Sequence, residues 1–240
     1  MNNFEDLSQE YQQTTNKPDK KFSILPTMMK LLSPVQNRRV IDLGCGSGFF
    51  TYEIAKMDPR IVYGVDNSKS MLKLARKRQN IDYIEADIFH TDFPHCDLIN
   101  APFVLNYADS KRNLLEFLTN CSRSIKEGKL VAALDMPLEE KDEYTLERLK
   151  RIGAIKKIIG KPKDEAEIRI ELWVGRNKCC TLAAKYYSEK TVESLMNKAG
   201  FSCVRWHKPI ISREGILSLG EAFWKGYENI CELSYVVAQK

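Results

Sequence analysis

Between Arg39 and Pro137, short apolar runs alternate with longer stretches whose apolar residues recur every three or four positions. The runs are RVIDLG, IVYGVD, IDYIEAD, DLINAPF and KLVAALDMP, and helical spacing marks FFTYEIAKM, SMLKLARKRQ and KRNLLEFLTNCSRSI between them. Such alternation predicts an α/β fold with a parallel, doubly wound sheet, because each return to the same edge needs a crossover helix. Ser68 and Asp109 or Ser110 are placed to cap helices. Glu127-Gly128 before KLVAAL reads as a helix stop.

The flanks differ. KFSILPTMMKLLSP has the spacing of a short amphipathic helix and belongs to an N-terminal helical cover over residues 1–35. Residues 36–240 form the main domain, with a cap inserted at about 139–187. The cap begins with a charged helix, LEEKDEYTLERLKRI. It continues with EIRIELWV and CCTLAAKYY, period-two runs joined by a hairpin-like turn at Gly175–Lys178. A helix opened by Ser188 and closed by Gly200 then leads to strand-like FSCVRWH, a helical stretch rich in Leu, Phe and Trp, and a last strand in ELSYVVAQ.

Composition narrows the function classes. A chain of 240 residues, 43% hydrophobic and 29% charged, can bury a sizeable core. The net charge of +5 is spread among acidic residues, which argues against a nucleic-acid footprint. Seven cysteines without a CxxC pair indicate neither a zinc site nor a disulfide framework and fit reduced thiols in the cytoplasm. The N-terminus lacks a hydrophobic signal segment, and no apolar run reaches the ~18 residues of a membrane span.

The chemistry concentrates in VIDLGCGSGFFT. A buried strand ends at Leu43 and turns through Gly44, Cys45, Gly46 and Gly48, where missing side chains let backbone approach a ligand. The spacing is GxGxG rather than the dinucleotide GxGxxG, and no GxxxxGK[ST] is present. Asp42 would be a poor neighbour for pyrophosphate and a good one for an ammonium group. Asp66, about 20 residues after the first glycine, can accept both hydroxyls of a ribose, with Asn67 and Met71 just beyond it. Asp87 can accept from an exocyclic adenine amine while Ile88 packs on the ring.

With VIDLGCGSG, GVDNS and EADI as its three motifs, residues 36 to 136 resemble the class I S-adenosylmethionine-dependent methyltransferases. The resemblance implies S-adenosylmethionine as cofactor and a seven-stranded sheet of order 3-2-1-4-5-7-6 with the last strand antiparallel, helices on both faces and a small cap. Within that family, the segment from Ala101 to Leu130 and the tail from Lys185 to Trp224 look like the small-molecule branch and resemble the toxoflavin methyltransferase-like group. The expected activity is methyl transfer to nitrogen or oxygen of a small acceptor, heteroaromatic rings among the candidates. The alternatives are RNA or protein methylation and a non-catalytic binding module. NAPF at 100–103 only partly matches the [DNS]PP[YFW] tetrad of enzymes that methylate planar amines.

Methyl transfer from a sulfonium needs mainly alignment and desolvation, so the sequence assigns no catalytic residue outright. If a base is needed, His207, Tyr11 and Tyr107 are candidates, along with Tyr186 and Tyr187, which are expected to pack in the interior. Ala101 and Asn106, at the end of the fourth strand, are placed to meet the cofactor. Trp173, Trp206 and Trp224 with Phe223 could line an aromatic pocket, though core and cap packing is the simpler role.

Overall fold

The computed structural model describes residues 11–240, so the first ten residues of the expected cover lie outside the described residues. Its main sheet has seven strands in the order β3-β2-β1-β4-β5-β10-β9. They are β1 (Arg39–Leu43), β2 (Ile61–Asp66), β3 (Ile81–Glu85), β4 (Cys96–Pro102), β5 (Ile125–Asp135), β9 (Cys203–His207) and β10 (Leu233–Gln239). The first five pair in parallel, and β10 enters antiparallel between β5 and β9. In sheet order this is the expected 3-2-1-4-5-7-6 arrangement.

Alternation along each strand divides the core between two faces. Ile41, Ile99, Leu130 and Ala132 face one side with Phe117, Leu118 and Met196, while Val40, Val62, Leu98 and Val131 face the other with Met28, Ile54 and Tyr235. Burial of both faces explains why these strands read as almost continuous apolar runs.

The helices are α1 (Leu25–Leu32), α2 (Phe49–Ala55), α3 (Lys69–Lys73), α4 (Lys111–Ser124), α5 (Glu143–Ile152), α6 (Glu189–Lys198), α7 (Arg213–Leu219), α8 (Glu221–Trp224) and α9 (Tyr227–Ile230). Ser68, Ser110 and Ser188 each accept a backbone N–H from the first turn of α3, α4 and α6. Two local expectations need correction. Helix α3 stops at Lys73 rather than running through ARKRQ, whose basic side chains supply little apolar surface to hold a further turn. Glu127-Gly128 does not stop a helix: α4 ends at Ser124, and residues 125–128 already belong to β5, opposite an irregularity between Cys96 and Leu98.

The inserted segment forms a three-stranded antiparallel sheet of β6 (Ala154–Ile158), β7 (Glu167–Val174) and β8 (Asn177–Lys185). Strand β6 was hidden by its lysines, since the KRIGAIKK pattern reads as the tail of a charged helix. In the structure Gly153, at φ +128°, ends α5, and Lys156 turns inward. The buried face carries Ile168, Ile170, Leu172 and Leu182, with Tyr11 and Tyr107 packed against it. Among the described residues no helix is long and apolar enough to cross a membrane.

Candidate active site

The carboxyl ends of β1, β2 and β4 form one edge, because Asp42 lies in register with Gly64 on one side and Asn100 on the other. The glycine turn leaves β1 there, with Gly44, Gly46 and Gly48 at φ +62°, +53° and +73°, a region that L side chains seldom adopt. Space is short as well. A Cβ on Gly48 would sit 2.3 Å from the Tyr83 hydroxyl, and one on Gly44 would sit 3.0 Å from a Val104 methyl. The turn therefore presents backbone at the crevice because neither its dihedrals nor its neighbours admit a side chain.

Asp66 braces this turn from the tip of β2. One carboxylate oxygen accepts the Gly46 N–H at 2.7 Å and the other accepts the Ser68 N–H at 2.9 Å. Asp42 is fully buried, accepting from the Thr51 hydroxyl at 2.5 Å and from the Asn100 amide at 2.7 Å. Burial raises its pKa to about 6 against the opposing pull of those two hydrogen bonds, and an ammonium group nearby would restore its charge. Cys45 is tied to β2 by its N–H to the Val65 carbonyl, and burial pushes its thiol pKa well up. Met71 packs beneath Gly46, while Asn67 is exposed.

Beyond β3, Asp87 is exposed and accepts from the Phe89 N–H while meeting Nδ1 of His90 at 2.8 Å, and Ile88 packs against the core. Two expected site residues face elsewhere. Ala101 is wholly within the core. Asn106 is a strut whose amide donates to the carbonyls of Asp135 and Lys185 and accepts the Asp135 N–H, tying β5 to β8.

A cavity of about 40 Å³, room for a few waters, lies beyond the tip of β4. Its walls come from the N-terminal arm (Tyr11, Lys17, Lys20), from Phe103 and Tyr107 after β4, from Asp135 at the end of β5, and from the cap sheet. Phe103, at φ +65°, closes the NAPF turn. Of the proposed bases, Tyr11 and Tyr107 line this cavity, whereas His207 is exposed at the end of the sheet-edge strand β9. Burial drives both tyrosine pKa values up. Asp135 and Cys180 add to this at both phenols, so each phenol is held protonated and is unsuited to act as a base. Burial and the neighbouring Arg205 and Lys129 lower the His207 pKa.

The tryptophans do not line the cavity. Trp224 packs in the core edge-to-face with Phe22, Phe223 and Tyr227, Trp173 lies under Lys150, and Trp206 reaches Glu193 on α6. Tyr187 is fully buried and donates to the Ala108 carbonyl, while Tyr186 packs on the cap sheet.

The charges of the cavity leave no mark in the sequence. Asp135 pairs with Lys156 at 2.7 Å, and Lys156 donates on to the carbonyl of Glu232, whose carboxylate pairs with Lys141 at 2.8 Å. This buried chain joins the main sheet to the cap. Lys17 and Asp19 form a second pair at 3.5 Å. A buried lysine in KRIGAIKK or TNKPDKKF differs in no local way from a solvated one, so only the tertiary fold distinguishes them.

Residues 40–128 match the family described as a methyltransferase domain. A Methanocaldococcus jannaschii protein named as a protein N5-glutamine methyltransferase is 28% identical over 149 residues, which cover 52% of this chain and 75% of that protein. The trans-aconitate 2-methyltransferase of Rhodopseudomonas palustris is 49% identical over 55 residues, 22% of either chain. The crystal structure of an S-adenosylmethionine-dependent methyltransferase from Mesorhizobium loti superposes with a TM-score of 0.64 at 16% identity, covering 95% of this chain and all of that one. Sheet order, glycine turn and matched domain together give the chain the fold of the class I methyltransferases. Residues 40–128 carry a methyltransferase domain, and S-adenosylmethionine is the cofactor of this enzyme.

Proposed function

We propose that this enzyme transfers the methyl group of S-adenosylmethionine to nitrogen or oxygen of a small molecule held in the cavity between the N-terminal arm, the tip of β4 and the cap sheet. The observation that carries this reading is the enclosure of that cavity, with the arm on one side and the inner face of the cap on another. A walled cavity suits a compact acceptor better than a polymer, and on this reading the arm and cap part to admit an acceptor larger than the few waters the cavity holds as it stands. On this reading residues 1–35 act as a cover, residues 36–240 as the catalytic domain, and the segment at about 139–187 as its cap.

In the assignment proposed here, the glycine turn receives the amino-acid end of the cofactor, with Asp42 as the nearby negative charge. Asp66 exchanges its Gly46 or Ser68 partner for ribose hydroxyls, and Asp87 and Ile88 flank the adenine. In-line attack then depends on alignment by the cavity walls. Seven cysteines without a CxxC pair agree with a reducing cytoplasmic setting. The toxoflavin methyltransferase-like likeness remains one source of acceptors to try.

The archaeal relative favours a second reading, methylation of a protein glutamine. Against it, the Asn100 side chain is wholly buried, its Nδ2 donating to Asp42 and its Oδ1 closed off from the surface, and NAPF lacks the second proline of the tetrad. Incubating the protein with methyl-labelled S-adenosylmethionine and separated extract fractions tests both. Label in the low-molecular-weight fraction is expected, and label confined to protein or RNA would reject the small-molecule reading.

A further inference from the structure

Among the described residues, Lys20 is the charge of the cavity without an ion-pair partner. Lys17 pairs with Asp19 and Lys156 with Asp135, leaving Lys20, only 7% exposed, with no hydrogen bond or ion pair at its amine among the described residues. Its Nζ lies 5.1 Å from the centre of the Tyr11 ring and 5.0 Å from that of Phe49, the first residue of α2 after the glycine turn. Ring faces stabilise a cation only modestly and leave its hydrogen-bond donors unused. The amine is thus placed between the cofactor turn and the cavity.

We propose that Lys20 carries the acceptor's acidic proton and holds the resulting oxyanion, so that the acceptor is a small oxygen acid with an apolar body, a carboxylic acid, phenol or enol, methylated on oxygen. This rests on the small-molecule reading above. The apolar body has its counterpart in Ile24, Phe103, Ile170, Leu172 and Leu182 on the cavity wall. A phenol or enol passes its O–H proton to the Nζ lone pair. An acid that arrives ionised meets the ammonium form directly. An oxygen lone pair then forms the O–CH3 bond while the S–CH3 bond breaks, its electron pair remaining on sulfur as the neutral thioether, and the ammonium returns its proton to solvent.

The electrostatics agree with this role. Burial lowers the Lys20 pKa to about 7, with Lys17 adding to the effect and Asp19 and Asp42 opposing it. Facing groups from the other elements are Tyr11 on the arm, Tyr107 after β4, and the paired Asp135 and Lys156. Both phenols are held neutral, and the pair cancels its own charge, so among the described residues an anionic ligand has Lys20 as its unmatched partner.

The test is binding in the presence of S-adenosylhomocysteine, comparing benzoate with benzamide and 4-nitrophenol with 4-nitroanisole. The wild type is expected to bind each acid at least about tenfold more tightly than its neutral partner, as for a charge-assisted hydrogen bond. Bound 4-nitrophenol should absorb as phenolate about one unit below its own pKa. Lys20→Met should abolish both effects, Lys20→Arg should retain anion binding, and S-adenosylmethionine affinity should hold in each variant. Equal binding of neutral partners, no binding by either acid, or unchanged acid binding by Lys20→Met would overturn the proposal. Failure of the wild type to transfer methyl to any small molecule would instead remove the small-molecule reading on which it rests.

Discussion

The glycine-rich edge and the cavity beyond it handle buried charge in opposite ways. At the edge, Asp42 and Asp66 each have both oxygens occupied by nearby donors, and the carboxylates help to hold the turn. In the cavity, among the described residues, two ion pairs close on themselves and one lysine is left over. The edge is a satisfied scaffold, whereas the cavity keeps an electrostatic demand. A cofactor that arrives at a preorganised turn and an acceptor that completes an unmatched charge are the two modes this contrast describes.

The largest expected effect tests the closed pairs. Lys156→Met should destabilise the fold by about 3–5 kcal/mol, because it strands the Asp135 carboxylate inside the protein. Denaturant unfolding measures it. A loss below about 1 kcal/mol would place the pair in the class of weak surface bridges and blur the contrast.

Lys20→Met should act in the opposite direction. The pKa of the amine in the folded state, about 7, lies below its unfolded value, so the unfolded chain binds more protons between the two. The penalty is full below about pH 7 and fades as pH rises towards 10.5. At pH 6 the variant should therefore be more stable by roughly 2–4 kcal/mol, the gain shrinking at alkaline pH. A destabilised variant would mean that the lysine is satisfied after all.

At the edge, Asp66→Ala should weaken S-adenosylmethionine binding by about 1–3 kcal/mol by removing the acceptor at the tip of β2. The smallest effect serves as a control. Ser188→Ala removes the cap of α6 and should cost about 1 kcal/mol of stability with no change in cofactor affinity.

The same contrast explains what could be read from the chain. The glycine turn is legible because its constraints are local: a buried strand, three glycines forced by dihedral and space, and an acidic residue at the end of the following strand. Sheet order followed from the family resemblance that the three motifs carry. The cavity was not legible because it joins residues far apart in sequence, Lys20 from the arm, Asp135 from β5 and Lys156 from a strand that looked like a helix tail. Asn106 misled for the same reason, since its partners lie on β5 and β8, and nothing in VLNYA shows where its amide goes.

Calorimetric titration of S-adenosylmethionine into the wild type, Asp66→Ala and Lys20→Met tests the central division most directly. Binding to the wild type is expected, with affinity lowered about tenfold or more in Asp66→Ala and unaltered in Lys20→Met. Wild-type affinity in Asp66→Ala, with binding lost in Lys20→Met, would contradict this division by placing the cofactor in the cavity rather than at the glycine turn.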